Sequence, residues 1–495
     1  MKRISINPIT RLEGHGTIEI LLDEHGNVAN TYFQVPELRG FEQFCVGRRA
    51  EDMPDITSRI CGVCPEAHHM ASVKALDNLF AVDPPSAAKK VRELFYMAFF
   101  VTDHTTHFYA LGGPDFILGP DAPPAQRNIL GVVKKVGLEI GKQVIECRAR
   151  NYHVIEMLGG RAIHPTAGVP GGWSKSLSEE ARAEVQAIAE KNIEFALFTL
   201  ELFDKLVLGN SAYLDLVTSE VYLHRTYSMG TVDENNRLNF YDGKIRVVDP
   251  EGREFLKYSP SDYASHIAER VEPWTYLKFP YLKKLGWKGF TDGAESGVYT
   301  ATPLARLNVC DGLTTTRAHE HFERFYQTFG RQKVNGRYQP VHHRLATHWA
   351  RLIELLYAAE RMKELAVDPE ITSPQIRNIP QQIAGEGIGC VEAPRGTLTH
   401  HYVTDENAIL KRVNLVVGTT NNYAAMSMSI KRVAEKLIHG HEVIEEGLLN
   451  RIEMAFRLYD PCLSCATHSL PGSMPLIVNI RNPKGEIIKS LRRDC

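Results

Sequence analysis

Residues 460–468 read DPCLSCATH and residues 59–69 read RICGVCPEAHH. Each stretch places two cysteines at i and i+3 with histidine following, and most of the 495-residue chain lies between the two. Two thiolates on one turn can grip one metal ion, and two such turns supply four soft ligands. That is the set a tetrahedral or square-planar late transition metal requires. If both pairs serve one site, the two ends of the chain must fold together. Such pairs also occur in structural zinc sites, in iron-sulfur clusters and in thioredoxin-like dithiols, the last of which needs only one pair. Zinc ribbons hold their pairs about 15–20 residues apart, far closer than here.

The other five cysteines (Cys45, Cys147, Cys310, Cys390 and Cys495) are scattered singly. They have no cluster spacing and read mostly as buried thiols. With 43% apolar residues, 23% charged residues and a formal net charge of −2, the composition is that of a soluble globular protein without the basic excess of a nucleic-acid binder. The opening MKRISINPIT is not a signal peptide, and no window has the roughly 18 apolar residues of a membrane span. The expectation is a cytoplasmic chain with no transmembrane segment.

Periodicity predicts a helix-rich α+β fold: long core helices with small β regions near the N-terminus, in mid-chain and at the C-terminus. Apolar residues recur at helical steps near 87–111, 124–158, 177–208, 341–366 and 423–457, with HGH at 439–441 placed to break the last. Alternation around DEHGN predicts a hairpin over 17–35, and a second β region is expected at 237–258. A final hairpin is expected over 475–491. No linker divides the chain, so residues 1–468 read as one interlocked domain, with 469–495 as an extension.

RLEGHG (11–16), ELRGFE (37–42), RICGVCPEAHH, APRGTLTHHY (393–402) and DPCLSCATH together resemble the large, catalytic subunit of nickel-iron hydrogenases. The match runs end to end and is most like the cytoplasmic, cofactor-coupled bidirectional group. The resemblance implies that Cys61, Cys64, Cys462 and Cys465 bind nickel. Cys64 and Cys465 also bridge to an iron carrying carbon monoxide and cyanide. Dihydrogen splits heterolytically when a metal pair takes the hydride half and a nearby base takes the proton. Cys462 is the candidate base, and Glu13 the carboxylate that receives its proton.

Arg395, by the same resemblance, overhangs the open coordination position, with Asp460 orienting it through a bidentate salt bridge. Arg395 and Thr419 suit the role of donors to cyanide. His68 is placed to hydrogen-bond a bridging sulfur. Glu42, the backbone carbonyl of Leu415 and His468 resemble ligands of a second ion, magnesium or iron. His104, His107 and His164 are expected near the active-site wall, as packing or proton-carrying residues. The tail after His468 resembles one that a maturation protease removes once nickel chaperones have loaded the metal. With no iron-sulfur cluster expected in this chain, electrons must leave through an iron-sulfur small subunit. Further subunits would pass them to NAD(P), a deazaflavin, ferredoxin or a disulfide. The quinone-pocket subunit of respiratory complex I shares the expected fold but lacks the four cysteines. The remaining alternatives are a regulatory, hydrogen-sensing subunit or a non-catalytic one with a four-cysteine zinc site.

Overall fold

Ile18, Ile20 and Leu22 are buried at every second position, and Asp23 caps the reversal that follows by accepting the amides of His25 and Asn27 at 2.9 Å each. That alternation builds an antiparallel sheet of β1 (Lys2–Ile6), β2 (Thr17–Leu22) and β3 (Val28–Gln34). The computed structural model describes residues 2–7, 9–35, 37–38, 40–440, 446–466, 476–481 and 487–493. The expected hairpin is present, and β1 adds an edge strand that the alternation did not announce.

Helices α1 (Phe41–Cys45), α2 (Pro65–Leu79) and α3 (Ser86–Thr106) follow. Proline opens α2 at its first position, where a missing N–H costs nothing and the ring pre-sets the helical φ. The expected helix over 124–158 is two, α4 (Ile129–Val136) and α5 (Leu138–Gly159), because Gly137 adopts φ 99° between them. α6 (Glu179–Phe203) and α7 (Thr347–Val367) match the remaining apolar periodicities. α7 is buried along most of its length and packs against α6 and α3, with Arg351 and Glu354 buried among its apolar residues.

Between α6 and α7, β4 (Tyr227–Val232), β5 (Lys244–Val248) and β6 (Glu254–Tyr258) form a sheet that the short β7 (Tyr299–Thr300) extends beside β4. An antiparallel sheet not anticipated from periodicity follows α7: β8 (Glu386–Ala393), β9 (Gly396–Thr404) and β10 (Leu410–Val416). β9 is buried on both faces along nearly its whole length, so it shows no polar alternation. β8 lies directly on α2, where a Cβ on Gly389 would stand 2.1 Å from the Ala71 carbonyl oxygen.

The last apolar stretch forms α8 (Tyr423–Leu437) and α9 (Glu446–Arg457), separated where Gly440 takes φ 63°. Strands β11 (Leu476–Arg481) and β12 (Ile487–Arg493) pair as the expected terminal hairpin. Phe33 of β3 packs edge-on to Phe456 of α9 with ring centroids 5.0 Å apart, so the N-terminal sheet lies against the C-terminal helices. One contiguous apolar core runs from Ile6 to Cys465. Among the described residues no helix is long and apolar enough to cross a membrane.

Candidate metal centre

The two ends of the chain meet through buried charge. Arg11 pairs with Asp115 and donates to the Leu111 carbonyl at 3.0 Å, while Arg457 of α9 holds the same Asp115 through Nε and Nη2 at 3.0 Å each. Thr10 donates to Glu453 at 2.8 Å. Removing one partner from such a buried set leaves an uncompensated charge, at a cost of about 3–5 kcal/mol. These contacts dock residues 10–13 alongside 461–463: Glu13 N–H donates to the Pro461 carbonyl at 3.4 Å, and Leu463 N–H to the Glu13 carbonyl at 2.9 Å. Gly14 is needed for that approach. Its φ is 86°, and a Cβ there would lie 2.8 Å from Ser464 N.

Four buried sulfurs converge at this junction. Cys61 Sγ lies 3.3 Å from Cys462 Sγ, Cys64 Sγ 3.6 Å from Cys465 Sγ, and Cys462 Sγ 2.7 Å from Cys465 Sγ. The four ligand atoms fall within 4.8 Å of one another, and all four cysteines are free thiols. A four-thiolate ion with metal–sulfur bonds of about 2.3 Å separates its sulfurs by about 3.8 Å, so the cluster is of a size to close on one ion. Val63 N–H and Cys64 N–H donate to Cys61 Sγ at 3.2 and 3.1 Å, bonds that favour the thiolate. Burial opposes ionisation of Cys61, yet hydrogen bonds from Cys462, Cys465 and Cys64 outweigh it and hold this thiol well below its ordinary value. Burial pushes Cys462 and Cys465 well above theirs. Four buried sulfurs this close together can all ionise only if a cation offsets their charge.

Glu13 Oε2 accepts the Cys462 thiol hydrogen at 3.0 Å and the Ser464 N–H at 3.1 Å. Thr419 Oγ1 accepts the Cys462 N–H at 3.1 Å. Arg395 sits with Pro394 at the two-residue tip between β8 and β9. Its fork is split: Nη1 donates to Asp103 Oδ1 at 3.0 Å, while Nη2 lies 3.2 and 3.1 Å from Asp460 Oδ1 and Oδ2. The expected bidentate pairing with Asp460 thus becomes a clamp between two carboxylates, because α3 delivers Asp103 to the other arm. Burial raises both carboxylates above their usual range against the pull of Arg395. Burial disfavours the Arg395 cation too, but Asp103, Asp460, Cys462 and Cys64 raise its basicity well above normal.

His68 is fully buried in the first turn of α2, with Nδ1 3.1 Å from His400 Nε2. His104 bonds Glu354 at 3.0 Å, His107 bonds the Arg457 carbonyl at 3.1 Å, and His164 bonds the Ser58 carbonyl at 3.1 Å. Glu42 Oε1 accepts the Leu415 N–H at 2.7 Å, and Oε2 lies 3.5 Å from Lys278 Nζ. Burial pushes the Glu42 carboxyl up to about 7, opposed by Lys278 and the Leu415 amide. A buried carboxylate beside Leu415 that already draws the Lys278 ammonium fits a hard-cation site in part; His468 lies outside the described residues. Asp103 and Ser464 were missed in the sequence, although Ser464 falls inside DPCLSCATH and Asp103 directly precedes His104. An acid within the otherwise apolar FYMAFFVTDH run of α3 was the available signal.

A family model described as nickel-dependent hydrogenase matches residues 39–127 and 142–468, and a second, described as HoxL-like, matches residues 3–38. This chain belongs to the nickel-dependent hydrogenase family. It is a nickel-iron hydrogenase large subunit, an oxidoreductase. It is 47% identical over 492 residues to an iron-sulfur subunit of the F420-non-reducing hydrogenase of Archaeoglobus profundus, covering 99% of this chain and 100% of that one. It is 38% identical to the NAD-reducing hydrogenase HoxS subunit beta of Cupriavidus necator, over 99% of this chain and 100% of that one. Both agree with the cofactor-coupled branch expected from the motifs. A crystal structure of an NAD+-reducing [NiFe]-hydrogenase in the H2-reduced state superposes with a TM-score of 0.86 at 37% identity, covering 94% of this chain and all of that one. The [NiFeSe]-hydrogenase of Dm. baculatum, at 24% identity and a TM-score of 0.72, shares the fold.

Proposed function

We propose that this protein catalyses the reversible heterolytic cleavage of dihydrogen at a nickel-iron centre held by Cys61, Cys64, Cys462 and Cys465. The observation that carries this reading is the thiol of Cys462, one of four clustered sulfurs, directed at the Glu13 carboxylate over 3.0 Å. Cys61 and Cys462 are assigned as terminal ligands of nickel. Cys64 and Cys465 would hold, besides nickel, an iron bearing carbon monoxide and cyanide. When bound, the metals supply the electron-accepting half of the cleavage.

The chain's own residues handle the proton. The Cys462 sulfur takes it, and the resulting S–H already points at Glu13 Oε2. Glu13 accepts it and passes it outward, returning Cys462 to the thiolate. The Ser464 N–H on the same oxygen holds the carboxylate facing Cys462. Thr419 accepts the Cys462 amide, which leaves its hydroxyl hydrogen to donate toward cyanide. Arg395, pinned by Asp103 and Asp460, places a fixed positive charge beside the sulfurs. His68 acts near the bridging sulfur of Cys64 at the start of its helix.

Glu42, the Leu415 carbonyl and His468 are assigned to magnesium or iron. Residues 469–495 are assigned as an extension removed by a maturation protease after nickel chaperones have acted, leaving 1–468 as the mature domain. The family match ends at residue 468, which supports that boundary. Electrons leave to an iron-sulfur small subunit in a cytoplasmic assembly, a reading supported by relatives named as subunits of larger enzymes. Further electron-transfer subunits would then reach NAD(P), a deazaflavin, ferredoxin or a disulfide. In the purified assembly, hydrogen-dependent dye reduction should vanish in Cys462→Ser. If full activity survived that substitution, the assigned base would be wrong.

A further inference from the structure

Beside the Arg395 clamp lies a second guanidinium that the proton route does not use. Arg351 of α7 is fully buried, and Nη2 donates to the Leu458 carbonyl at 3.3 Å. Its Nε and Nη1 have no hydrogen-bond partner among the described residues. Burial pushes its basicity down to about 10, with Asp460 and Glu354 opposing, so it remains charged at neutral pH.

His107 stands close to the same segment of chain. Its Nε2 bonds the Arg457 carbonyl and lies 4.0 Å from Asp460 Oδ1. A carbonyl only accepts, so Nε2 carries the hydrogen. Burial and the charge of Arg351 keep the ring neutral, which leaves Nδ1 as an acceptor. That Nδ1 is unpartnered among the described residues. So is Asp460 Oδ2, which is close to Arg395 Nη2 but not aligned for a hydrogen bond. His348 stacks on His107 at 5.5 Å, and a Cβ at Gly112 would stand 2.5 Å from its ring, so glycine is what admits the pair.

Donors on Arg351 and acceptors on His107 and Asp460 are therefore gathered around one stretch, 457–460, without meeting. Leaving such buried groups unmet is costly, and native interiors satisfy more than about 90% of them. A buried water makes about three hydrogen bonds and suits mixed donors and acceptors. An anion would suit the donors but face the Asp460 carboxylate.

We propose that buried water molecules join Arg351 to Asp460 and His107, and that Arg351 is a positioning residue acting through them to hold the Asp460–Arg395 pair in place. The water site stands on the geometry alone, whereas its effect on turnover rests on the hydrogenase mechanism proposed above.

A crystal structure of the wild-type assembly should show ordered waters at about 2.7–3.2 Å from Arg351 Nη1 and from Asp460 Oδ2. A dry site, a direct Arg351–carboxylate pair or a bound anion there would overturn the proposal, whatever the enzyme's activity. Arg351→Met should lose those waters, shift Arg395 from Asp460 and lower kcat by about 10- to 100-fold, as sub-ångström to ångström misplacement does. Arg351→Lys, which keeps a charged donor, should retain the waters and most of kcat. If Arg351→Met fails to fold, the wild-type hydration and the Lys variant decide. A Lys variant that kept the waters but matched an inactive enzyme would overturn the positioning role, as would a folded Met variant with unchanged Arg395 geometry.

Discussion

Glu13→Gln isolates the proton step. Both hydrogen bonds that Glu13 Oε2 receives, from Cys462 Sγ at 3.0 Å and Ser464 N at 3.1 Å, can be accepted equally by an amide oxygen. The backbone pairing of Glu13 with Pro461 and Leu463 does not involve the side chain. The change should therefore cost less than about 1 kcal/mol in stability, the scale of one ordinary hydrogen bond, and leave nickel content unchanged. An amide cannot take a proton at neutral pH, however, and a positioned acid or base contributes about 10²–10⁴-fold in rate. Exchange of dihydrogen with deuterated water, followed by mass spectrometry on the metal-loaded assembly, should slow by at least about 10²-fold. Dye reduction should fall with it. Wild-type exchange with full metal content would refute the route through Glu13.

Other consequences follow from the same contacts. Gly14→Ala forces a Cβ against Ser464 N at 2.8 Å in a left-handed backbone, so unfolding should be easier by about 1–3 kcal/mol and nickel retention poorer, as read by denaturation and metal analysis. Arg395→Lys offers one point charge to two carboxylates that now share a fork; infrared bands of the iron ligands should persist while kcat drops by about 10²-fold or more. Cys61→Ser removes one of the four clustered sulfurs, the one that accepts the Val63 and Cys64 amides, and the purified chain should contain little nickel.

The pattern of cysteines required the chain's ends to meet only if both pairs share one ion, and the five motifs supplied that condition. The helices were legible where one face stayed polar, as in α6, and the break at HGH was signalled by its glycine. β9 was not, because a strand buried on both faces replaces alternation with a run of threonine, histidine and tyrosine whose polar atoms are met inside, as when His400 bonds Tyr402 at 2.6 Å. Glu13 was recognised through its motif, but its contact with Cys462 depends on Arg11 and Asp115, which are about a hundred residues apart. Asp103 escaped notice because the histidines of its segment carried the stronger signal. Its role is fixed by the hairpin tip that carries Arg395, a long-range juxtaposition with no local signature. The split fork of Arg395 is invisible in sequence for the same reason.

The nickel-iron assignment stands or falls on metal analysis joined to infrared spectroscopy of the purified assembly. One nickel per assembly, with absorption bands from carbon monoxide and cyanide on iron, is what four thiolates around one nickel beside an iron require. Zinc alone, with no such bands, would make the four sulfurs a structural site and contradict the assignment.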